Sequence, residues 1–387
     1  ALRHFRPQST MAIVCPESQA PIWEMMPELN EVITYPEKAS SRQIAKLFKD
    51  RETKFESAIA WEAGEAAIAF QRAEVLQRLG YPAKGLGKYL TDSISIVIQP
   101  GPVEHRVRHY LNLVDKLGGK PFVRETFQTP PLSPPPEKPL IALSPVSEFG
   151  VTHQWPLEKY KELVDTIELR FGGAGGVDWV ILSGGANVDG GESWVKVNSE
   201  LEAMLGGRAK NYSTEWDMAK TLAGLPYCTA LVSCDNELSH LAAHVGLPAV
   251  VIFGPNEPEW KRPLGKQSRA VREHVACSPC FLSKCPVDMR CQKAVSVEVV
   301  VAFPAVAAVS IYRVSQGTFG CDWRSRSEFP RETELHRVSC PAVTHAETFH
   351  LPHFQVCSAA PGWRCRTGSP NPAVPECCSF RAGCGRK

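Results

Sequence analysis

Residues 231–246 have the sequence LVSCDNELSHLAAHVG. The apolar start predicts a buried strand, and the remainder up to Gly246 predicts a helix. Asp235 lies between them and can cap the helix N-terminus. The backbone N–H groups of Asn236, Glu237 and Leu238 would then be free, and free amides together with the helix dipole favour an anion. The alternative is an ordinary capped helix in a strand–helix–strand unit.

Short apolar runs and amphipathic runs alternate on both sides of this stretch. This alternation predicts α/β architecture with parallel sheets. The predicted strands are residues 11–15, 31–35, 57–61, 140–143, 179–182, 230–233 and 249–253. The predicted helices are residues 21–26, 40–51, 64–79, 103–117 and 157–171.

A proline-rich segment divides the α/β pattern into two halves, with six prolines between residues 130 and 139. Such a run is stiff and extended and is typical of a linker. We therefore expect domains at residues 1–123 and 140–302, with the linker at 124–139. A ligand is expected in the cleft between them.

The overall composition is that of an ordinary globular protein, with 43% hydrophobic residues and a net charge of +2. It excludes a disordered acidic chain and a polybasic one, so no nucleic-acid partner is expected. No apolar stretch approaches the roughly 18 residues that a membrane span requires. We expect a cytoplasmic protein.

Residues 303–387 differ from the rest of the chain. The part from Val301 onward contains nine Arg but a single Lys, and it holds seven of the 14 Cys. It shows no helical or strand periodicity, which predicts a disordered or non-native tail that packs poorly. The alternatives are a disulfide module or a metal-binding tail that uses His345, His350, His353 and Cys357.

Several motifs, in this order, resemble the family that contains the lipopolysaccharide heptosyltransferases, glycosyltransferase family 9. The pattern around residue 235 resembles the family's Asp-Ser/Thr-Gly, His, Ala-rich helix, Gly-x-Pro and Phe-Gly-Pro series. Further similarity lies in residues 78–81, 90–92, 104–111 and 144–156, and in the cysteine run from Cys277, which resembles the heptosyltransferase II branch. The resemblance covers roughly residues 1–300.

The resemblance implies two Rossmann-like domains of the glycosyltransferase B type. It implies inverting transfer of heptose from ADP-heptose to the lipopolysaccharide inner core of a Gram-negative bacterium, without a required cofactor. The acceptor, lipid A carrying Kdo or heptose, would place the protein peripherally on the inner face of the inner membrane. The expected residues for the donor and its phosphates are Ser144, Ser147, His153, Asp235, Asn236, Glu237, Leu238 and His240.

Three departures from the family pattern bear on activity. The family's first strand and its Gly-Asp loop, which carries the expected catalytic Asp base, would lie upstream of Ala1. The first domain is therefore expected to be incomplete and transfer to be impaired. His153 stands where the family has a phosphate-contacting Lys, and Glu237 replaces the Gly of Asp-Ser/Thr-Gly. The alternatives are an inactive nucleotide-sugar-binding protein, or another two-domain nucleotide-sugar enzyme such as an epimerase.

Four cysteines and a group of basic residues complete the candidates. Cys277, Cys280, Cys285 and Cys291 lie within 15 residues and could hold zinc or an iron–sulfur cluster; reduced thiols or local disulfides are the alternatives. His105, Arg106 and Arg108 lie on one predicted helix together with His109. This basic face could contact an anionic acceptor, or it could be a solvated surface.

Overall fold

A computed structural model describes residues 1–52, 54–95, 102–127, 136, 138–171, 176–184 and 191–303. All of them belong to one compact unit, Ala1–Ser327. Most of the predicted proline-rich linker, and the predicted tail after Phe303, lie outside the described residues. No helix within the described ranges has both the length and the hydropathy needed to cross a bilayer.

Short strands and helices alternate along the described chain. The strands are β1 Ala12–Pro16, β2 Glu31–Tyr35, β3 Ser57–Ala60, β4 Gln77–Gly80, β5 Asp92–Ser93, β6 Leu140–Ser144, β7 Asp178–Ile181, β8 Ala209–Asn211, β9 Ala230–Cys234, β10 Ala249–Ile252 and β11 Ser268–Val271. The α-helices are α1 Leu2–Phe5, α2 Ala20–Glu24, α3 Ser41–Lys49, α4 Glu65–Arg72, α5 Val107–Lys116, α6 Leu157–Phe171, α7 Gly191–Leu205, α8 Met218–Gly224, α9 Glu237–His244, α10 Pro258–Lys261, α11 Arg290–Lys293 and α12 Val297–Val301.

Six parallel strands form the sheet of the second half, in the order β11-β10-β9-β6-β7-β8. This is the doubly wound Rossmann order, in which the strand sequence reverses between β6 and β9. Ligands of such sheets bind outside the carboxyl ends of the strands at that reversal. Ser144 at the end of β6 lies beside Ser233 of β9, so both strands end at the same place.

The strands of this sheet are apolar on both faces because helices cover both sides. Ile141 and Leu143 of β6 belong to one buried cluster, whereas Ala142 between them belongs to the cluster on the other face. Helix α6 contributes Tyr160 to the first cluster, and the Tyr160 hydroxyl donates to the Ser144 carbonyl at 3.2 Å. The core thereby fixes the end of β6, where the candidate site begins.

The first half contains two small parallel sheets, β1-β2 and β3-β4-β5. They share a core through their helices, since Ile33 of β2 packs in one cluster with Phe48 of α3 and Ala69 of α4. The α/β class and the parallel strands confirm the prediction from the sequence. The division into two sheets was not foreseen. The strands and helices that the sequence did not predict are β4, β5, β8, β11, α1, α7, α8, α10, α11 and α12.

Two predicted helices are shorter than their patterns indicated. Helix α4 ends at Arg72 because Glu74 adopts a positive φ of 60° and its N–H donates to the Gln71 carbonyl, so the remaining residues start β4. Helix α5 begins at Val107, not Val103. The N–H of Arg106 donates to the carbonyl of Trp260 at 2.7 Å, which holds this residue against the second half of the chain.

Candidate active site

Polar side chains from the ends of β6 and β9 meet at the point where the strand order reverses. Asn236 donates through Nδ2 to Ser144 Oγ at 2.9 Å and to the Val146 carbonyl at 2.7 Å. Ser147 Oγ donates to the Asp235 carbonyl at 2.7 Å. All four polar residues are buried. Four of the residues predicted to bind the donor are therefore in one hydrogen-bonded cluster.

The residue that caps α9 is Asn236, and the prediction that Asp235 does so is wrong. Asn236 has extended backbone angles, and its Oδ1 accepts from the N–H of Ser239 at 3.1 Å. The N–H groups of Glu237 and Leu238 lie in the first turn, where an α-helix supplies no intrahelical acceptor. The expected amides at the start of α9 are therefore present, with a different residue as the cap.

The Asp235 carboxylate is occupied by other side chains. Its Oδ2 accepts from Asn256 Nδ2 and lies 3.1 Å from Lys261 Nζ and 3.8 Å from His153 Nδ1. Burial alone would raise the pKa of Asp235, but these three neighbours outweigh it and lower that pKa. Asp235 is thus a buried carboxylate held ionised by its partners.

His153 is placed beside Asp235 as predicted, but it is only 2% exposed. Its Nδ1 has no hydrogen-bond partner among the described residues, because 3.8 Å exceeds a hydrogen bond. The ring lies 5.4 Å from the Phe149 ring. His153 is therefore buried beside the Asp235 carboxylate. Its direct contact with a phosphate stays a prediction.

Lys261 is the site residue that sequence reasoning missed. It ends α10, which follows β10, the neighbour of β9 in the sheet. Its ammonium contacts Asp235 and lies 3.2 Å from the centre of the Phe149 ring. The available signal was its position: α10 follows Phe253-Gly254-Pro255, at the carboxyl end of a strand in the same sheet.

Two further carboxyl groups lie close to this cluster. Burial raises the pKa of Glu148 to about 7, and the neighbouring Glu237 and Asp235 add to the increase. The positive charge of Lys261 lowers this pKa and offsets part of the increase. Burial also raises the pKa of Glu237, whose Oε1 has no hydrogen-bond partner within the described ranges. The Glu237 carboxylate is packed on Gly184, where an added Cβ would lie 1.8 Å from Oε1. It therefore extends across the sheet edge towards the end of β7.

His240 lies on α9, close enough to His105 and Arg106 of the first half for their charges to act on it. Part of its side chain is exposed to solvent, but protein atoms pack densely around it and remove much of its hydration. The pKa of His240 is lowered to about 4, mainly by this desolvation. The negative charge of Asp235 acts to raise this pKa, whereas Lys261, His105 and Arg106 act to lower it. At neutral pH the imidazole is uncharged and can offer one donor and one acceptor.

The predicted basic helix face is divided, because His105 and Arg106 precede α5. His105 Nε2 lies 2.8 Å from the Arg262 carbonyl, and Arg106 pairs with Glu62 at 3.3 Å. Arg108 pairs with Glu104 at 3.1 Å and lies over the Phe122 ring. The prediction of one continuous face is wrong, since contacts with the carbonyls of Trp260 and Arg262 hold Arg106 and His105 ahead of the helix.

The four clustered cysteines are free thiols, which excludes the local disulfides in this structure. Cys277 and Cys280 are exposed, Cys291 is buried, and the Cys285 sulfur accepts from the N–H groups of Val287 and Met289 at 3.4 Å. Among the described residues, no group of three or more His, Cys, Asp or Glu side chains is placed to hold a metal ion.

Comparison with known proteins supports one family. The model of "Glycosyltransferase family 9 (heptosyltransferase)" matches residues 105–290, which include all the residues of the cluster. Lipopolysaccharide heptosyltransferase 2 of Salmonella typhimurium is 31% identical over 138 residues, which cover 35% of this chain and 37% of that protein. Lipopolysaccharide heptosyltransferase 2 of Escherichia coli K12 is 24% identical over 293 residues, covering 69% and 80%.

Solved structures agree on the fold. The structure of E. coli ADP-heptose LPS heptosyltransferase II superposes with a TM-score of 0.57 at 21% identity, covering 81% of this chain and 93% of that one. A glycosyl transferase family 9 protein from Veillonella parvula gives a TM-score of 0.62 at 15% identity, covering 80% and 91%. Both are similar to this chain in the glycosyltransferase B architecture that the sequence predicted. The chain is therefore similar to glycosyltransferase family 9, the heptosyltransferase family, over residues 105–290.

Proposed function

We propose that this protein transfers heptose from ADP-heptose to the inner core of lipopolysaccharide, with inversion at the anomeric carbon. The observation that carries the proposal is the buried cluster of Ser144, Ser147 and Asn236 beside the first turn of α9. It lies at the strand reversal, where doubly wound sheets bind nucleotides. The family's heptosyltransferase relatives supply the choice of sugar and acceptor.

In this proposal the donor diphosphate accepts hydrogen bonds from the first-turn N–H groups of Glu237 and Leu238. Asn236 orders that turn, because its side chain bonds both to α9 and to the end of β6. As the bond to the sugar breaks, negative charge grows on the leaving diphosphate. Amides fixed in advance stabilise that charge without reorganising, which lowers the barrier of the chemical step. A general base accepts the proton of the acceptor hydroxyl.

The neutral His240 is assigned to the reacting side of the donor, close enough to His105 and Arg106 of the first half for their charges to act on it. His105 and Arg106, on the first half, are assigned to the anionic acceptor. That acceptor is lipid-linked, so the proposed reaction takes place at the cytoplasmic face of the inner membrane, without a cofactor.

Donor choice and transfer test the proposal in one series on the purified chain. Calorimetric titration with ADP-heptose, ADP and UDP-glucose is expected to show binding of the two adenine nucleotides and little binding of UDP-glucose. Incubation with ADP-heptose and a heptose-terminated inner-core acceptor is expected to release ADP. Binding without transfer would identify a nucleotide-sugar-binding protein, and preference for UDP-glucose would contradict the donor assignment.

A matched pair of cap variants tests the site. Asn236→Ala and Asp217→Ala each remove a helix N-cap, from α9 and α8 respectively. Asp217→Ala is expected to lower the free energy of unfolding by about 1 kcal/mol. Asn236→Ala is expected to lower it further, because its side chain also bonds to Ser144 and to the Val146 carbonyl. Only Asn236→Ala is expected to weaken ADP binding, because α8 lies outside the cluster. Equal ADP affinities in the two variants would remove the α9 turn from the donor site.

A further inference from the structure

Lys261 has a more enclosed position than a surface lysine. Its side chain is only 13% exposed, its ammonium lies 3.1 Å from Asp235 Oδ2, and the Phe149 ring covers it at 3.2 Å. Withdrawing an ammonium and a carboxylate from water is costly, and a well-packed apolar pair is often equally stable. Stability alone therefore does not account for a lysine at this position.

The local charge balance also calls for a cation. Asp235 and Glu237 lie close enough to Glu148 to raise its pKa, so three carboxyl groups share this cluster. A diphosphate would add further negative charge next to them. His153 is a poor substitute, because it is buried and its ring is charged only when protonated. Lysine carries its charge to far higher pH than histidine.

We propose that the Lys261 ammonium contacts the donor diphosphate and neutralises the charge that develops on it as the sugar leaves. This inference rests on the proposed function and adds a residue to it. Asp235 acts as a positioning residue, since its carboxylate fixes the ammonium at the carboxyl end of the sheet. One N–H of the ammonium is directed to Asp235, and an ammonium has two more donors available.

The backbone on either side of Lys261 is held by the first half of the chain. The Trp260 carbonyl accepts from the Arg106 N–H at 2.7 Å, and the Arg262 carbonyl lies 2.8 Å from His105 Nε2. Arg106 also adds positive charge, since it lowers the pKa of Lys261 alongside the larger effect of burial. The ammonium is therefore held by Asp235 of the second half, while the backbone on either side of it is held by the first half.

The test uses calorimetric titration of the full chain with ADP and with adenosine, which lacks the phosphates. Lys261→Met is expected to weaken ADP binding roughly 10- to 100-fold, as expected for loss of a charged hydrogen bond. Adenosine binding is expected to stay within about twofold of wild type, and Lys261→Arg to restore most of the ADP affinity. The control is Lys266→Met, on the exposed loop that follows α10.

Because Lys261→Met leaves Asp235 without its cation, a second variant guards against misfolding. Asp235→Asn combined with Lys261→Met keeps the pair neutral, and it is expected to fold and to bind ADP as weakly as Lys261→Met. Unchanged ADP affinity in Lys261→Met would overturn the inference. Equal weakening of ADP and adenosine would also overturn it, by assigning Lys261 a structural role. Failure of the wild-type chain to bind ADP would overturn the proposed function itself.

Discussion

The strand ends of the two halves lie in opposite surroundings. In the second half, Ser144 ends β6 and Asp235 follows β9, and both are essentially inaccessible and hydrogen-bonded to other side chains. In the first half, Trp61 follows β3 and is 39% exposed, and the side chain of Glu62 is 73% exposed. The comparison teaches that a charged group contributes differently to stability in the two places. A buried charge is stabilised by its protein partners, whereas an exposed charge is stabilised mainly by water.

Removing one acid from each half should give the largest contrast. Asp235→Ala leaves the Lys261 ammonium buried without its carboxylate, and we expect a loss of about 3 kcal/mol in the free energy of unfolding. Glu62→Ala breaks only the exposed pair with Arg106 and should cost less than about 0.5 kcal/mol. Urea unfolding monitored by circular dichroism measures both. Similar losses in the two variants would show that Asp235 is effectively solvated.

Two glycines sharpen the comparison at the level of packing. An added Cβ at Gly80, which ends β4, would lie 2.8 Å from the backbone carbonyl of Ala60, and backbone cannot easily move away. We expect Gly80→Ala to cost about 1–3 kcal/mol. At Gly184 the obstacle is the flexible end of Glu237, so Gly184→Ala should cost less than about 1 kcal/mol. Thermal unfolding of the two variants ranks them, and the reverse order would refute the packing argument.

Although Gly184→Ala should cost little stability, it displaces the Glu237 carboxylate from its position on the sheet edge. A crystal structure or a change in ADP affinity of this variant would register the displacement. The Glu237→Ala, Gly184→Ala double variant should then unfold at the same temperature as Glu237→Ala alone, because the obstacle is absent.

The smallest expected effect is a pH dependence of donor binding. Glu148 has a pKa of about 7, above the ordinary value for glutamate, so it loses its proton as the pH rises from 6 to 8. The new negative charge lies near Asp235 and Glu237 and repels the diphosphate. The positive charge of Lys261 offsets part of this repulsion. We expect ADP-heptose affinity to fall by about two- to fivefold over this range. The diphosphate diester of this ligand keeps a constant charge there.

Glu148→Gln should make that profile flat. Glu62→Gln, at an exposed position in the first half, should leave the profile unchanged. A slope that persists in Glu148→Gln would contradict the assignment of the pH dependence to Glu148.

The assembly of the site was predictable because neighbouring parallel strands end at one edge of a sheet. Ser144, Ser147 and Asn236 could therefore be grouped before any coordinates were known. Which residue caps α9 was not predictable, because Asp235 and Asn236 are both good caps. Asn256 and Lys261, more than 20 residues later, bind the Asp235 carboxylate and so leave Asn236 as the cap. Contacts of that range leave no periodic pattern in the sequence.

Element boundaries failed for a related reason. The apolar spacing of residues 103–117 continues through Arg106, but Arg106 is the N-cap of α5, and its N–H bonds to the Trp260 carbonyl instead of to a preceding helical turn. At Glu74 a left-handed residue ends α4, although its sequence neighbours continue the pattern. Local propensity cannot foresee either event, because tertiary contacts and a rare backbone angle override it.

The contacts of α10 set a condition for exchanging halves between family members. The Trp260 carbonyl accepts from the Arg106 N–H, and the carbonyl of Arg262, just after α10, lies 2.8 Å from His105 Nε2. Lys261 between them bonds to Asp235 of the second half. A chimaera joined near residue 139 would inherit α10 from one parent and residues 105–106 from the other. Compatible grafts therefore have to keep residues 105–106 and 260–262 from the same parent, even though about 150 positions separate them.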